Sequence, residues 1–313
     1  MELFISGASG FIGRYLGNHL TDQGNCVEGA SRTACYMHGY RKMYPVADIT
    51  AQEWEPVLAG KEAVVHLANM AHVSHSNDTD ALERYRTINT QETLNLAMAA
   101  VDAGVKRFVY ISSIKVNGES ASVEKPFLSS DVPAPQGPYA QSKWEAEQGL
   151  LALSRETGLE MVIIRPPLVY GPDVKGNLQL LSRMIDRGWP LPFASIRNQR
   201  DLISIDNLCS LIELCLTHPA AIGKTFLCAD GVPLSTPDLI RKIAKAKGVN
   251  ARLFPVPAAL LKLGFAAGKK SSYMPLVEDV RVDFSDTVET LGWQPGKDID
   301  LAFKKAFGPE ADC

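Results

Sequence analysis

Residues 3–13 read LFISGASGFIG, an apolar run that breaks into a glycine-rich turn and then resumes at helical spacing. Leu3 to Ser6 has the length and composition of a buried strand. Beyond the turn, Phe11, Ile12, Tyr15, Leu16 and Leu20 recur on one helix face as far as Gly24, which suits a helix end. CVEGA (Cys26 to Ala30) supplies the next strand and completes a strand, helix, strand unit. In the turn, Gly7, Gly10 and Gly13 permit a tight bend, close approach to a pyrophosphate, and close packing of the helix. The backbone N–H groups around Gly10, Phe11, Ile12 and Gly13, with the positive end of the helix dipole, would hold phosphate oxygens. A glycine triplet alone is a weak signal, and the flanking strands and amphipathic helix give it the context of a dinucleotide site.

The same alternation continues outward. AVVHLA (Ala63 to Ala68), FVYIS (Phe108 to Ser112) and MVIIR (Met161 to Arg165) read as further strands. A helix is expected over Asp80 to Ala103, stopped by Gly104. The stretch from Gly118 to Pro138 carries Pro126, Pro133, Pro135 and Pro138 and reads as a surface connection before a helix over Tyr139 to Thr157. The expected class is α/β, a Rossmann-type doubly wound parallel sheet. After Arg165 the alternation weakens through RPPLVYGP, WPLPF, VPLSTP and FPVPAAL, as in a smaller, irregular α/β substrate-binding domain. The boundaries predicted are 1–165 plus roughly 201–230 for the dinucleotide domain, and 166–200 plus roughly 231–313 for the second, with a cleft at the carboxyl ends of the strands.

Composition narrows the function classes. The 313 residues are 46% hydrophobic and 21% charged with a formal net charge of -3, so neither disorder nor an electrostatic footprint for nucleic acid or an anionic membrane is expected. The opening MELFISGASG lacks the pattern of a secretory signal, and no apolar run approaches the ~20 residues of a membrane span. A cytoplasmic protein is the expectation. Cys26, Cys35, Cys209, Cys215, Cys228 and Cys313 form no Cys-x-x-Cys pair, which suits reduced structural thiols and no metal site.

In many dinucleotide folds an acidic residue ends the second strand and bonds the ribose hydroxyls of NAD. Here that place reads Ser31 and Arg32. A hydroxyl and a guanidinium suit a 2′-phosphate, so NADP(H) is the preferred cofactor. NAD, with Arg32 a solvated loop charge, is the alternative.

GASGFIG, HLAN, YISSIKVNG, YAQSK and RPPLVYGP resemble, in this order and over nearly the whole chain, the motifs of the extended short-chain dehydrogenases/reductases. The resemblance implies a Rossmann domain with a smaller nucleotide-sugar domain, and it matches Ser113, Tyr139 and Lys143 to the family's catalytic Ser/Thr, Tyr and Lys. The physical reading agrees. Residues four apart share a helix face, so the Lys143 ammonium would lower the pKa of the Tyr139 phenol from about 10. Tyr139 would then act as general acid or base, while Ser113 at a strand end fixes the same substrate oxygen for hydride exchange. The resemblance further implies that Asp48 and Ile49 lie near the adenine, that Leu67 and Ala68 line the cofactor groove, and that Asn89 supports the active-site helix. It also implies that Lys143 bonds the nicotinamide ribose and that Pro166 and Pro167 border the carboxamide. His66 reads as a satisfied core histidine. Dehydratases of this family place an acidic pair just after the Ser/Thr, where this chain has Ile114 and Lys115, which argues against 4,6-dehydration.

In the second half, GNLQLL, RDLISIDNL and LGWQP resemble nucleotide-sugar enzymes of the family, with Asn177 matched to a sugar-diphosphate contact and Arg200 to a phosphate-holding arginine. The alternative for Arg200 is a surface pair with Asp201. The segment from Arg200 onward resembles bacterial UDP-hexosamine 4-epimerases and 4-ketoreductases of surface-polysaccharide assembly. Reduction of a UDP-4-keto-6-deoxy-hexosamine is placed first because of Ser31 and Arg32. A 4-epimerase with tightly bound NAD is the alternative. A catalytically silent nucleotide-binding subunit and a small-carbonyl or steroid reductase are the other readings. The partners implied are a UDP-sugar and, through the two long helices, a second copy in a homodimer.

Overall fold

The computed structural model describes residues 1–32, 36–46, 53–71, 78–257, 277–296 and 298–309. Asp48, Ile49, Cys35 and Cys313 lie outside the described residues. The strands are β1 (Glu2–Ser6), β2 (Cys26–Ser31), β3 (Lys42–Pro45), β4 (Ala63–His66), β5 (Arg107–Ile111), β6 (Glu160–Arg165), β7 (Leu168–Tyr170), β8 (Leu202–Ser204) and β9 (Thr225–Leu227). The α-helices are α1 (Phe11–Asp22), α2 (Glu55–Leu58), α3 (Asp78–Tyr85), α4 (Glu92–Asp102), α5 (Gly137–Thr157), α6 (Asn177–Asp186), α7 (Ile205–Thr217), α8 (Thr236–Ala246), α9 (Ser285–Leu291) and α10 (Ile299–Phe307).

Seven strands form one all-parallel sheet in the order β3-β2-β1-β4-β5-β6-β9. This is the Rossmann-type doubly wound sheet expected, with the order reversing between β1 and β4. Its central strands β1, β4, β5 and β6 are mostly apolar because both faces are covered. Leu3, Ile5, Val65, Val109 and Ile164 pack with Leu16, Leu20, Leu208 and Ile212 of α1 and α7. Phe4, Val64, Phe108, Tyr110 and Ile163 point the other way, onto Leu96, Ala97, Ala146 and Leu150 of α4 and α5. Truncating any one of the leucines, isoleucines or phenylalanines among these to alanine would cost roughly 2–5 kcal/mol.

A separate core joins Tyr170, Leu178, Leu181 and Ile185 to Ile240, Ile243, Phe303 and Phe307, from α6, α8 and α10. The two-stranded parallel sheet of β7 and β8 lies beside it. Asp230, just after β9, ties this region to the main sheet: it accepts from the Tyr170 hydroxyl at 2.7 Å and from Asn207 Nδ2 at 2.7 Å.

At the amino ends of the strands, Glu2, Glu28, Arg41 and Lys61 form a charge network, with Arg41 to Glu28 at 2.6 Å and Lys61 to Glu28 at 2.9 Å. The helix expected over 80–103 is not one continuous α-helix. A π-helical turn, Arg86–Gln91, separates α3 from α4. The widened turn seats Asn89 in the interior, where its side chain accepts from Met70 N at 2.7 Å and donates to Met70 O and Ser142 Oγ, both at 3.1 Å. Those bonds compensate the poorer helix geometry, and such turns are frequent at functional sites. Among the described residues, no helix is long and apolar enough to cross a membrane, and no group of His, Cys, Asp and Glu is placed to hold a metal ion.

Candidate active site

The carboxyl edge of the sheet gathers the glycine turn, the end of β4, the turn after β5 and the start of α5. Gly7 has φ +70°, and a Cβ there would lie 2.7 Å from Ala68 N, so β1 and β4 close on each other only without a side chain. A Cβ on Gly13 would lie 2.5 Å from the carbonyl oxygens of both Gly7 and Ala8. The Tyr40 hydroxyl donates to Gly13 O at 2.6 Å, buttressing the turn from behind. Gly10 is exposed at the N-cap of α1, which has no side-chain cap and no acidic residue in its first turn.

The N–H groups of Phe11 and Ile12 thus begin a helix whose first turn contains no acidic residue of its own. Ser112 Oγ is buried with no hydrogen-bond partner among the described residues, leaving a donor at the same edge. These features fit a dinucleotide, with the glycine turn for its pyrophosphate. Ser31, buried at the end of β2, and exposed Arg32 lie just past Ala30, whose carbonyl accepts from Ala8 N at 3.0 Å. Leu67 is buried and Ala68 part-exposed, and both N–H groups reach Ser6 Oγ, at 3.3 and 3.4 Å.

His66 is fully interior, with Nδ1 2.6 Å from Ser6 Oγ and Nε2 2.9 Å from Thr93 Oγ1. Thr93 spends its proton on Asn89 O, so Nε2 of the ring is the donor to Thr93 and Nδ1 accepts from Ser6. Burial, with the Lys143 charge nearby, pulls its pKa down to about 3, and the ring is neutral.

The connection Gly118 to Pro138 ends where Gly137 (φ +77°) and Pro138 open α5, proline falling in the first turn where no N–H is missed. Tyr139 follows, part-exposed to the groove, with Tyr85 edge-on at 6.0 Å between ring centroids. Ser113 caps the 3-10 turn Ile114–Val116, accepting from Lys115 N at 3.3 Å, and its side chain acts on the Tyr139 phenol to lower its pKa. Pro166 O, after β6, accepts from Ile114 N at 3.0 Å, and Pro166 and Pro167 are both buried.

Lys143 is buried on α5, with Nζ 2.9 Å from Ile111 O and 4.5 Å from the Tyr110 ring centroid. Burial drives its pKa down to about 7, opposed by the Glu147 carboxylate one turn on. The expectation that Lys143 lowers the Tyr139 pKa differs from this arrangement. Burial pushes Tyr139 up to about 12, Ser113 alone pulls it back, and Tyr85 adds to the rise. The lysine is held on Ile111 O and has itself lost much of its charge preference to desolvation.

In the second half, Asn177 is part-exposed in the first turn of α6, after Gly176 (φ +73°). Arg200 bridges Leu234 and Val280, and its Nη1 donates to Glu278 O at 3.0 Å. Burial lowers its pKa, against the attraction of Glu278, Asp279 and Glu119. Arg200 is not the surface partner of Asp201. Asp201 is buried and accepts from Arg281 Nε and Val282 N, both at 2.8 Å. Adjacent residues in extended chain face opposite sides, which separates the two. Tyr40, Tyr85, Ser142 and Glu147 were not singled out by the sequence. Of these only Glu147 carries a signal, an acidic group on the helix face that bears Tyr139 and Lys143.

The sequence model of the family described as "NAD dependent epimerase/dehydratase family" matches residues 3–229. A protein of Vibrio cholerae named UDP-glucose 4-epimerase is 41% identical over 307 residues, 97% of this chain and 94% of that protein. The GDP-6-deoxy-D-mannose reductase of Pseudomonas aeruginosa is 28% identical over 307 residues, 94% of this chain and 92% of its own. Among solved structures, a UDP-glucuronic acid 4-epimerase from Bacillus cereus in complex with NAD superposes with TM-score 0.79 at 20% identity, covering 98% of this chain and 97% of that one. At that identity the likeness concerns the fold.

Proposed function

The chain belongs to the NAD dependent epimerase/dehydratase family, as an enzyme of the 4-epimerase or 4-reductase kind, and from that premise we propose that it epimerises C4 of a UDP-hexose or UDP-hexosamine. The observation that carries this reading is the cluster of Ser113, Tyr139 and Lys143 beside the glycine turn, in a chain 41% identical to a UDP-glucose 4-epimerase along almost its whole length. Epimerisation therefore moves ahead of the reduction first favoured by Ser31 and Arg32.

Gly7, Gly10, Gly13 and the N–H groups of Phe11 and Ile12 would hold the pyrophosphate, with Ser31 and Arg32 at the adenosine ribose. Leu67, Ala68, Asn89, Pro166 and Pro167 would frame the rest of the groove, and Lys143 the nicotinamide ribose. A nicotinamide dinucleotide bound there supplies reversible hydride acceptance. Ser113 holds the substrate O4, and Tyr139 removes its proton as C4 is oxidised and returns it when C4 is reduced on the opposite face. Ser113, which draws the Tyr139 pKa back against burial, favours the phenolate that this requires. Asn177 and Arg200 would bind the UDP diphosphate, the guanidinium fork suiting phosphate. Residues 166–200 and those after roughly 231 then form the nucleotide-sugar half, and the outer faces of α3, α4 and α5 a homodimer contact, to be checked by light scattering.

The second reading is 4-ketoreduction, which the Ser31 and Arg32 pair supports because a consumed reductant is commonly NADPH. Purified protein distinguishes the two. Retained NAD with interconversion of UDP-glucose and UDP-galactose, or of their N-acetylamino forms, without added nucleotide supports epimerisation. Stoichiometric NADPH oxidation by a UDP-4-keto-6-deoxy-hexosamine, without interconversion, overturns it in favour of reduction. Neither activity in protein that binds UDP-sugar would favour the silent subunit.

A further inference from the structure

Behind the Ser113, Tyr139 and Lys143 cluster lies a second polar group that the chemistry above does not use. Glu147, one turn beyond Lys143 on α5, is fully buried. Its carboxylate accepts from Arg165 Nε at 2.9 and 3.2 Å and also from Nη2. Arg165 is the last residue of β6, equally buried, with Trp144 against its guanidinium at 5.8 Å. Its Nη1 donates to Asn117 Oδ1 at 3.0 Å. Asn117 closes the 3-10 turn that Ser113 opens, and its Nδ2 donates to Leu128 O at 2.8 Å. The next residue, Pro166, receives Ile114 N of the same turn at 3.0 Å. One chain of hydrogen bonds thus runs from the helix carrying Tyr139 and Lys143, through the end of β6, to the turn carrying Ser113.

Burying two charges costs several kcal/mol per ion before their attraction is counted, and an apolar pair of the same volume would serve stability as well. A role tied to charge is therefore the informative reading. The groups facing Lys143 are the Tyr110 ring and Ile111 carbonyl from β5, neutral His66 from β4, and Tyr139 and Glu147 from α5 itself. Glu147 is the anion among them.

We propose that Glu147, Arg165 and Asn117 are the positioning residues of this site, Glu147 keeping the Lys143 ammonium charged while Arg165 and Asn117 lock the Ser113 turn to α5. The inference rests on the reading of Lys143 as the site lysine. Arg165 has two tasks, since it fixes the Glu147 carboxylate by hydrogen bonds and carries its orientation to Asn117. Desolvation pulls the Lys143 pKa down to about 7, and Glu147 is the charge that opposes it.

The test is a ¹³C-lysine NMR titration of the whole protein, the Lys143 resonance being identified by its loss in Lys143→Met. In Glu147→Gln the Lys143 midpoint is expected to fall by about one pH unit, the size of a single neighbouring charge. Because this variant strands Arg165 and can fail to fold, Glu147→Gln/Arg165→Met removes both charges and is expected to show a fall in the same direction, smaller because the more distant Arg165 charge is lost as well, in a folded protein. Glu147→Asp keeps the charge and should recover part of the midpoint. In turnover, kcat near pH 7 should drop by roughly tenfold with KM for the UDP-sugar unchanged. A folded double variant whose Lys143 midpoint stays within about 0.2 unit of wild type overturns the proposal. The titration needs no substrate, so its outcome is independent of whether the enzyme proves to be an epimerase or a reductase.

Discussion

Gly13 and Gly10 share the same turn but meet different things, and substituting each separates the fold from the cofactor site. At Gly13 a Cβ would stand 2.5 Å from two carbonyl oxygens and 2.7 Å from Ala8 Cα, all backbone, whereas real Cβ contacts begin at 3.0 Å. In Gly13→Ala the start of α1 must therefore retreat from β1 by at least about 0.5 Å, overpacking that costs roughly 1–3 kcal/mol. For a chain of this size that is a fall in Tm of roughly 1.5–5 °C. The displaced N–H groups of Phe11 and Ile12 then miss the phosphate oxygens. Losing one charge-assisted hydrogen bond of about 1.5–3 kcal/mol weakens dinucleotide binding by roughly 10- to 100-fold. At Gly10 the atom that an added Cβ would approach among the described residues, its chain neighbours aside, is Gly7 O at 3.0 Å. Gly10→Ser adds a good N-cap, so its Tm should stay within about 2 °C of wild type, yet its side chain fills the phosphate position and binding should fall at least as far. Differential scanning fluorimetry with calorimetric titration of NAD and NADP measures both quantities. Gly13→Ala with unchanged Tm and affinity, or Gly10→Ser that still binds like wild type, refutes the assignment of this turn.

Three further outcomes follow from the site. Tyr139→Phe should lower kcat by about 10²- to 10⁴-fold with little change in the UDP-sugar KM, since only the proton-transferring hydroxyl is removed; steady-state kinetics with retained activity would remove Tyr139 from the chemistry. Arg200→Gln should raise that KM roughly 10- to 100-fold with kcat within about threefold, and an unchanged KM would leave Arg200 a purely structural contact of Glu278 O. His66, held neutral with its pKa at about 3 against 6.5 unfolded, makes the unfolded chain bind the extra proton. Its contribution to stability is complete above pH 6.5 and is lost as pH falls, by about 3 kcal/mol at pH 4. Urea midpoints should consequently decline less steeply below pH 6.5 in His66→Gln than in wild type, and parallel pH profiles would count against the neutral buried ring.

What the sequence revealed, and what it hid, divides along physical lines. Strands β1, β4, β5 and β6 are covered on both faces, so their runs of apolar residues stand out. Strands β7, β8 and β9 have three residues each and no period to detect, and β3 is the charged edge strand KMYP. The π-helical turn was invisible because one extra residue barely disturbs the apolar spacing around Tyr85 and Leu96. Ser113, Tyr139 and Lys143 could be found because strand end and helix spacing are local properties. Tyr85 against Tyr139, Tyr40 beneath Gly13, and the Arg165 to Glu147 pair depend on tertiary contact between distant segments. The alternative pairing of Arg200 with Asp201 rested on adjacency alone, and extended backbone turns the two side chains to opposite sides.

The charge network of Glu2, Glu28, Arg41 and Lys61 lies at the amino ends of the strands, and the glycine turn with the Ser113 cluster at their carboxyl ends. Five-residue strands put these ends about 16 Å apart, with an apolar sheet between them. At that separation free-energy changes are close to additive. The sheet thus acts as an insulating layer between two independently adjustable ends. Substitutions that strengthen the base can accumulate without retuning the catalytic rim, and substitutions that remodel sugar selectivity at the rim can draw on that reserve, which gives a directed-evolution experiment on this chain a natural order: stabilise the base first, then diversify the rim.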